Sequence, residues 1–285
     1  MKHKIILALC LLCMSVMGAT AKTFEVTVKK PGTLENYWNQ LSHEERKSID
    51  KVVLHGELND DDCHILRQMC GNGREQQRTR FSVKVVDLAG VTFVAGGNKG
   101  YIDHFSMRRI RPGQKEMLPI FLFRNTTVQE VTLPKNLQII GAGAFEFSDL
   151  KRIVIPKSVK LIDTWAFKDC WSLTEVVVEG DLVQIGCQAF YGLDSIEKFV
   201  FNSVDNITSD SFGYCEKLKE ITFKGYVKEV NLRSIVNCPS LKAINFNGGV
   251  EKKEEPIHVN CPLVKGLNIV NKQKSEEEKY EYKIY

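Results

Sequence analysis

Net charge, proline and long apolar runs are all scarce in this sequence of 285 residues. The formal charge is only +4, with 39 basic side chains against 35 acidic ones, which excludes the basic footprint of a nucleic-acid-binding chain. There are 8 prolines, too few for an extended proline-rich rod. One apolar run stands out, Ile5 to Met17, interrupted only by Ser15. As a helix it reaches about 20 Å, short of the roughly 30 Å hydrocarbon core of a bilayer, so no transmembrane segment is expected in the mature chain. Lys2 and Lys4 precede the run and Gly18-Ala19-Thr20-Ala21 follows it, the basic, apolar and small-residue order of a secretory signal. We expect residues 1–21 to be removed after Ala21, leaving 37 basic against 35 acidic residues. Cys10 and Cys13 follow leucines inside the run, which is not the setting of a lipid-anchored cysteine.

Reactive constellations are also missing. The six histidines are isolated: His3 lies in the signal, and His43, His55, His64, His104 and His258 show no paired metal spacing. Asp60, Asp61 and Asp62 lack the alternating spacing and distal Glu of a calcium loop and are better placed to open a helix. No nucleophile elbow, phosphate-cradling glycine loop or Cys-His pair is found. Neither enzyme activity nor a metal or cofactor is therefore expected.

What is present is a repeat. Val128, Leu150, Leu173, Ile196, Leu218, Leu241 and Val264 recur every 22 or 23 residues. A period of that length predicts a solenoid, in which units too small to bury a face alone stack into one elongated core. Each unit continues with alternating apolar pairs, among them Val131 and Leu133, Ile153 and Ile155, Val176 and Val178, Phe199 and Phe201, the pattern of a strand facing the core. Pro134 and Pro156 end two of these strands. A second apolar column, Leu137, Val159, Leu182, Val204, Val227 and Val250, predicts a second short strand. The unit closes on Ala144-Phe145, Ala166-Phe167, Ala189-Phe190 and Ser211-Phe212, whose rings are expected to fill the coil.

Seven cysteines follow the signal, an odd number that cannot pair fully within one chain. Cys170, Cys215, Cys238 and Cys261 each stand three residues before the first column, where Phe147 and Leu193 stand by the same count, so the slot reads as a buried hydrophobic one. Disulfides between adjacent turns stay open as an alternative. Cys63 and Cys70 are seven residues apart on an expected helix, about 10 Å along its axis, too far to bridge.

The segment Leu150-x-x-Ile153-x-Ile155-Pro156-x-x-Val159-x-x-Ile162-x-x-x-Ala166-Phe167-x-x-Cys170 resembles the BspA-like leucine-rich repeats of bacterial exported and surface proteins. The pattern weakens at the C-terminal end, where Ile235 stands in place of Phe and Glu251-Lys252-Lys253-Glu254-Glu255 in place of an apolar closing segment. The expected fold is an α/β repeat solenoid of the leucine-rich repeat kind, mostly short parallel strands with short helical turns and an N-terminal α+β cap. Its organisation is read as a signal at 1–21, a cap with longer degenerate repeats at 22–127, repeats at 128–271 and a polar tail at 272–285. Within the cap, Ile49-x-x-Val52-x-Leu54 and Val83-x-x-Val86-x-Leu88 repeat the strand pattern 34 residues apart. Phe24 to Val28 predicts an edge strand, Leu34 to about Leu41 and Asp62 to Met69 predict helices, and the stretch from Gly96 to Gly113 a long loop or hairpin.

The resemblance implies a non-catalytic protein outside the cytoplasm, secreted, periplasmic or at the cell surface, that binds an extracellular or cell-surface protein in adhesion or recognition. Two alternatives are a glycan-binding accessory protein of the envelope and a hydrolase assembled across the cap and its loop. Candidate contact residues are the outward strand column Thr132, Val154, Val177, Val200, Thr222 and Asn245, flanked by Arg152, Glu175, Lys198 and Lys219. Such a column fits either β-branched packing across a parallel sheet or an exposed binding strip. Trp165 and Tyr191 are added because aromatic side chains anchor interfaces. Gly143, Gln188, Asp210 and Lys168 at equivalent positions predict that no continuous aromatic platform forms.

Overall fold

The computed structural model describes residues 22–71, 81–97, 101–103, 108–110 and 116–269. The signal at 1–21, the tail from 272 and His104 lie outside them. The chain coils so that successive strands of like position lie side by side and parallel. On the first face Lys22–Val28, Ile49–Leu58, Val85–Phe93, Glu130–Thr132, Arg152–Ile155 and Glu175–Val178 form one six-stranded sheet, and four more strands, Lys198–Phe201, Glu220–Phe223, Ala243–Phe246 and Asn268–Ile269, form a second. On the second face a seven-stranded sheet runs from Met117–Leu118 to Val250–Lys253 through the predicted second column. From Phe190 onward a third face joins in, as Phe190–Tyr191, Phe212–Gly213, Ile235–Val236 and His258–Val259 pair.

The first sheet passes without interruption from residue 22 into the regular repeats, and Val52 pairs with Val86 at the 34-residue separation seen in the sequence. The described helices all lie in this first part: α1 (Leu34–Trp38), α2 (His43–Lys47) and α3 (Asp60–Met69). Helix α3 starts where the unpaired N–H donors of its N-terminus find an acceptor, for the Asn59 side chain accepts from the amides of Asp61 and Asp62. The Asp62 carboxylate in turn accepts from Gly32 (2.6 Å) and Leu34 (2.8 Å), tying α1 to α3. The Gly96–Gly113 stretch contains a hairpin, Tyr101–Asp103 antiparallel to Arg108–Ile110.

The core is a row of rings. Phe123, Phe145, Phe167, Phe190 and Phe212 stack in order with centroids 5.3, 5.2, 5.4 and 5.5 Å apart, close to the spacing of parallel strands. Phe123 thus extends the predicted column one turn before Val128. A second stack, Phe201, Phe223 and Phe246, backs the first face at 5.4 and 5.1 Å. After Phe212 the column passes to Ile235 and then His258, with Ile257 fully buried beside it. The last described coil therefore closes on His258 with Ile257 buried beside it, and the charged segment Glu251–Glu255 precedes the corner and stays exposed.

The sequence count also misplaced one register. Three residues after the corner ring stand Thr126, Ser148, Cys170, Leu193, Cys215, Cys238 and Cys261, all buried. Ser148, not Phe147, is the neighbour of Cys170, its hydroxyl 3.5 Å from the thiol sulfur. The cause is a corner one residue shorter in the turns of Phe123 and Phe145, which leaves Phe147 half-buried and pointing outward.

Candidate recognition surface

The inward turn at each ring forces its flanks outward. Two residues before it, Phe121, Gly143, Trp165, Gln188, Asp210 and Arg233 take left-handed backbone, and two residues after it so do Asn125, Phe147, Asp169, Gly192, Tyr214, Asn237 and Asn260, with φ between 51° and 69°. A non-glycine residue in that region costs about 1–2 kcal/mol, which the packing of the buried ring between them offsets. The result is an edge of the solenoid lined by side chains that reach solvent.

Along this edge the aromatics gather. Trp165 is 39% exposed and Tyr214 47%, while Tyr191 and Trp171 are half-buried. Lys168 lies between Trp165 and Tyr191, its ammonium 5.6 Å from one ring centroid and 5.5 Å from the other. The Trp165 indole N–H donates to Gln188 Oε1 at 3.1 Å, and the Tyr191 and Tyr214 rings meet at 4.9 Å. Burial, followed by Tyr214 and then Asp169 and Asp210, pushes the Tyr191 phenol up to about 12. Lys168 was expected to interrupt an aromatic platform. Instead it joins two rings, because a cation is attracted to the π face of each.

Toward the N-terminus the same edge carries Arg124 over Phe121 (4.8 Å) and Phe147 (5.9 Å), and Phe147 in turn meets Trp171 at 5.8 Å. Arg124 also bonds Glu146 of the next turn at 2.7 Å, a pair only 6% and 5% exposed. Rings recur over five turns from Phe121 to Tyr214, with Arg124 set between Phe121 and Phe147 and Lys168 between Trp165 and Tyr191. Phe121 and Arg124 escaped the sequence reading, and Phe147 and Lys168 were given other places in it; aligning residues by distance from the corner ring would have put all four on this edge.

The predicted strand column lies on the outside of the first face. Thr132 is exposed, and Val154, Val177, Val200, Thr222 and Asn245 are half-buried. Val154 pairs with Val177, and Val200 with Thr222 and then Asn245. Val177 and Val200 are not paired, since the six-stranded sheet ends at Glu175–Val178 and the next begins at Lys198–Phe201. Here bulky Phe199 and Phe201 follow Val176 and Val178, and those two valines, though inward, are only partly covered. Beyond the break the column turns polar: Asn268 donates to Asn245 (2.7 Å), Asn245 to Thr222 (3.0 Å) and Thr222 to Glu220 (2.8 Å). Flanking charges pair across turns, Arg152 with Glu175 at 2.6 Å and Lys219 with Glu197 at 2.9 Å. The strip and the aromatic edge are separate surfaces.

Among the described residues no group of three or more His, Cys, Asp or Glu side chains is placed to hold a metal, and no helix is long and apolar enough to cross a membrane. A leucine-rich repeat protein from Bacteroides ovatus ATCC 8483 is a structural neighbour at 14% identity, covering 78% of this chain and 79% of its own, with a TM-score of 0.30. No curated protein matches. The model of the BspA type leucine rich repeat region matches in 6 copies over residues 116–203 and 183–280, more than half of the sequence. The stacked parallel turns, the ring column and this match agree, and the chain belongs to the BspA-type leucine-rich repeat family.

Proposed function

We propose that this is an exported, non-catalytic recognition protein whose aromatic edge, centred on Trp165, Lys168, Tyr191 and Tyr214, binds an extracellular or cell-surface protein. The family suggests protein–protein interaction. The observation that carries the reading is the pair of large rings left open to solvent while neighbours fix them: Trp165 by Gln188 and Lys168, Tyr214 by Tyr191. Rings held in place lose little freedom on binding, which makes them efficient anchors. The signal-like order of residues 1–21 supports export. A glycan is the second reading, favoured by Gln188 beside the Trp165 ring and by Asp169 and Asp210 near Tyr191.

The test is binding of the purified protein to panels of extracellular matrix proteins and of polysaccharides, repeated with the double variant Trp165→Ala/Tyr214→Ala. Binding to a protein that the double variant loses supports the proposal. Binding confined to polysaccharides moves it to the second reading, and binding the double variant retains in full removes the edge from consideration. Turnover of ester or glycoside substrates would overturn the non-catalytic reading.

A further inference from the structure

The seven thiols of the described residues are free, and most have no thiol on a neighbouring turn. Cys170 lies between Ser148 and Leu193 of its column, Cys187 stands at another position of the corner, and Cys63 and Cys70 lie on and just after α3. Cys215, Cys238 and Cys261 differ. They occupy consecutive turns of one column, each three residues after a corner residue of the in-register row Phe212, Ile235 and His258. Each thiol lies near the carbonyl two residues back, Gly213 at 3.4 Å, Val236 at 3.4 Å and Val259 at 3.5 Å, and Cys215 also has the Phe190 carbonyl of the preceding turn at 3.3 Å. Equivalent residues on adjacent parallel turns are about 4.8 Å apart, inside the Cα separation of about 4.4–6.8 Å that a disulfide spans.

We propose that Cys238 and Cys261 are a modification site, a cross-turn disulfide closed by reaction with a small-molecule disulfide, with Cys215 left as the third thiol of the column. Of these three Cys261 reacts first, being 5% exposed where Cys215 and Cys238 are fully buried. Its thiolate attacks one sulfur of the disulfide RSSR, forming Cys261–S–S–R and expelling RS⁻. The Cys238 thiolate then attacks the Cys261 sulfur, the mixed bond breaks and a second RS⁻ leaves. Both cysteine protons end on the two RSH products; the two protein sulfurs are oxidised by two electrons in all and RSSR is reduced by two. The bond staples the turn that carries the exposed charged segment Glu251–Glu255 to the one before it. This inference is independent of what the aromatic edge binds.

The test is peptide mapping of the folded protein after incubation with oxidised glutathione, blocking of remaining thiols and digestion with trypsin. Cleavage after lysine and arginine puts Cys215, Cys238 and Cys261 on separate peptides, residues 199–217, 234–242 and 254–265. The expected product links 234–242 to 254–265, lighter than the two free peptides by two hydrogens, and the melting temperature rises by about 5–10 °C for a loop of this length. Cys215→Ser should keep the link and Cys238→Ser abolish it; should the second variant not fold, the first and the wild-type map still decide. Seven blocked thiols, glutathione on Cys261 without a link, or a link between 199–217 and 234–242 would each overturn the proposal.

Discussion

Truncating one ring in the middle of the column, Phe167→Ala, probes the core most severely. Phe167 is fully buried and stacks on Phe145 at 5.2 Å and on Phe190 at 5.4 Å, so its loss opens a cavity between two turns and removes both ring contacts. Phenylalanine-to-alanine changes at such sites cost about 3–5 kcal/mol, of which each ring pair accounts for about 0.5–1.5 kcal/mol. In a chain of this size that lowers the melting temperature by about 6–20 °C. Phe167→Ile should cost much less, since Ile235 fills the same position two turns beyond Phe190. Trp165→Ala, two residues away but open to solvent, should cost under about 1 kcal/mol. Urea and thermal unfolding followed by circular dichroism would rank the three. If Phe167→Ala proved no worse than Trp165→Ala, the ring column would not be the core and the reasoning would fail.

Other consequences are as specific. Gly186→Ala should destabilise by about 1–3 kcal/mol, because an added Cβ would stand 2.7 Å from the backbone of Asp163 and Thr164; an unchanged unfolding midpoint would contradict the close approach. Burial holds the Cys70 and Cys170 thiols up to about 12, so the folded state keeps protons that the unfolded state releases above pH 9. Stability from these groups is therefore complete below about pH 9 and lost as pH rises toward 12, and urea midpoints should fall between pH 8.5 and 10.5, less so in Cys170→Ala. Native alkylation at neutral pH should label half-exposed Cys187 before any other thiol, read by peptide mapping. Val177→Glu should leave the fold intact and abolish binding if the strand strip is the contact; unchanged binding excludes that strip. A fragment beginning at residue 128 should aggregate, because removal of Val85–Phe93 leaves the edge of Glu130–Thr132 unpaired; a soluble monomeric fragment would show that 22–127 is dispensable.

The sequence made the stacking legible because its chemistry is periodic. A Phe that must sit on the Phe of the next turn recurs at a fixed interval, and Phe145, Phe167, Phe190 and Phe212 could be aligned by counting alone. Counting fails where spacing changes without a change of residue class. The one-residue shorter corner before Leu150 put Phe147 into the slot that Ser148 fills. The break between Glu175–Val178 and Lys198–Phe201 was hidden for a related reason: Val and Phe are both apolar, so the change from one to the other at the break leaves the apolar pattern unaltered. The aromatic edge was half visible. Trp165 and Tyr191 were recognisable as rings, but Lys168 joins them through geometry across turns, which spacing along one strand does not report.

A double-mutant cycle tests the stacked column most directly. Alanine substitutions at Phe145 and Phe167, singly and together, should show a coupling of about 0.5–1.5 kcal/mol between these adjacent rings, whereas Phe145 and Phe212, three turns apart, should be additive to within about 0.5 kcal/mol. Additivity in the first pair, or equal coupling in both, would contradict a solenoid held together by one ring resting on the next.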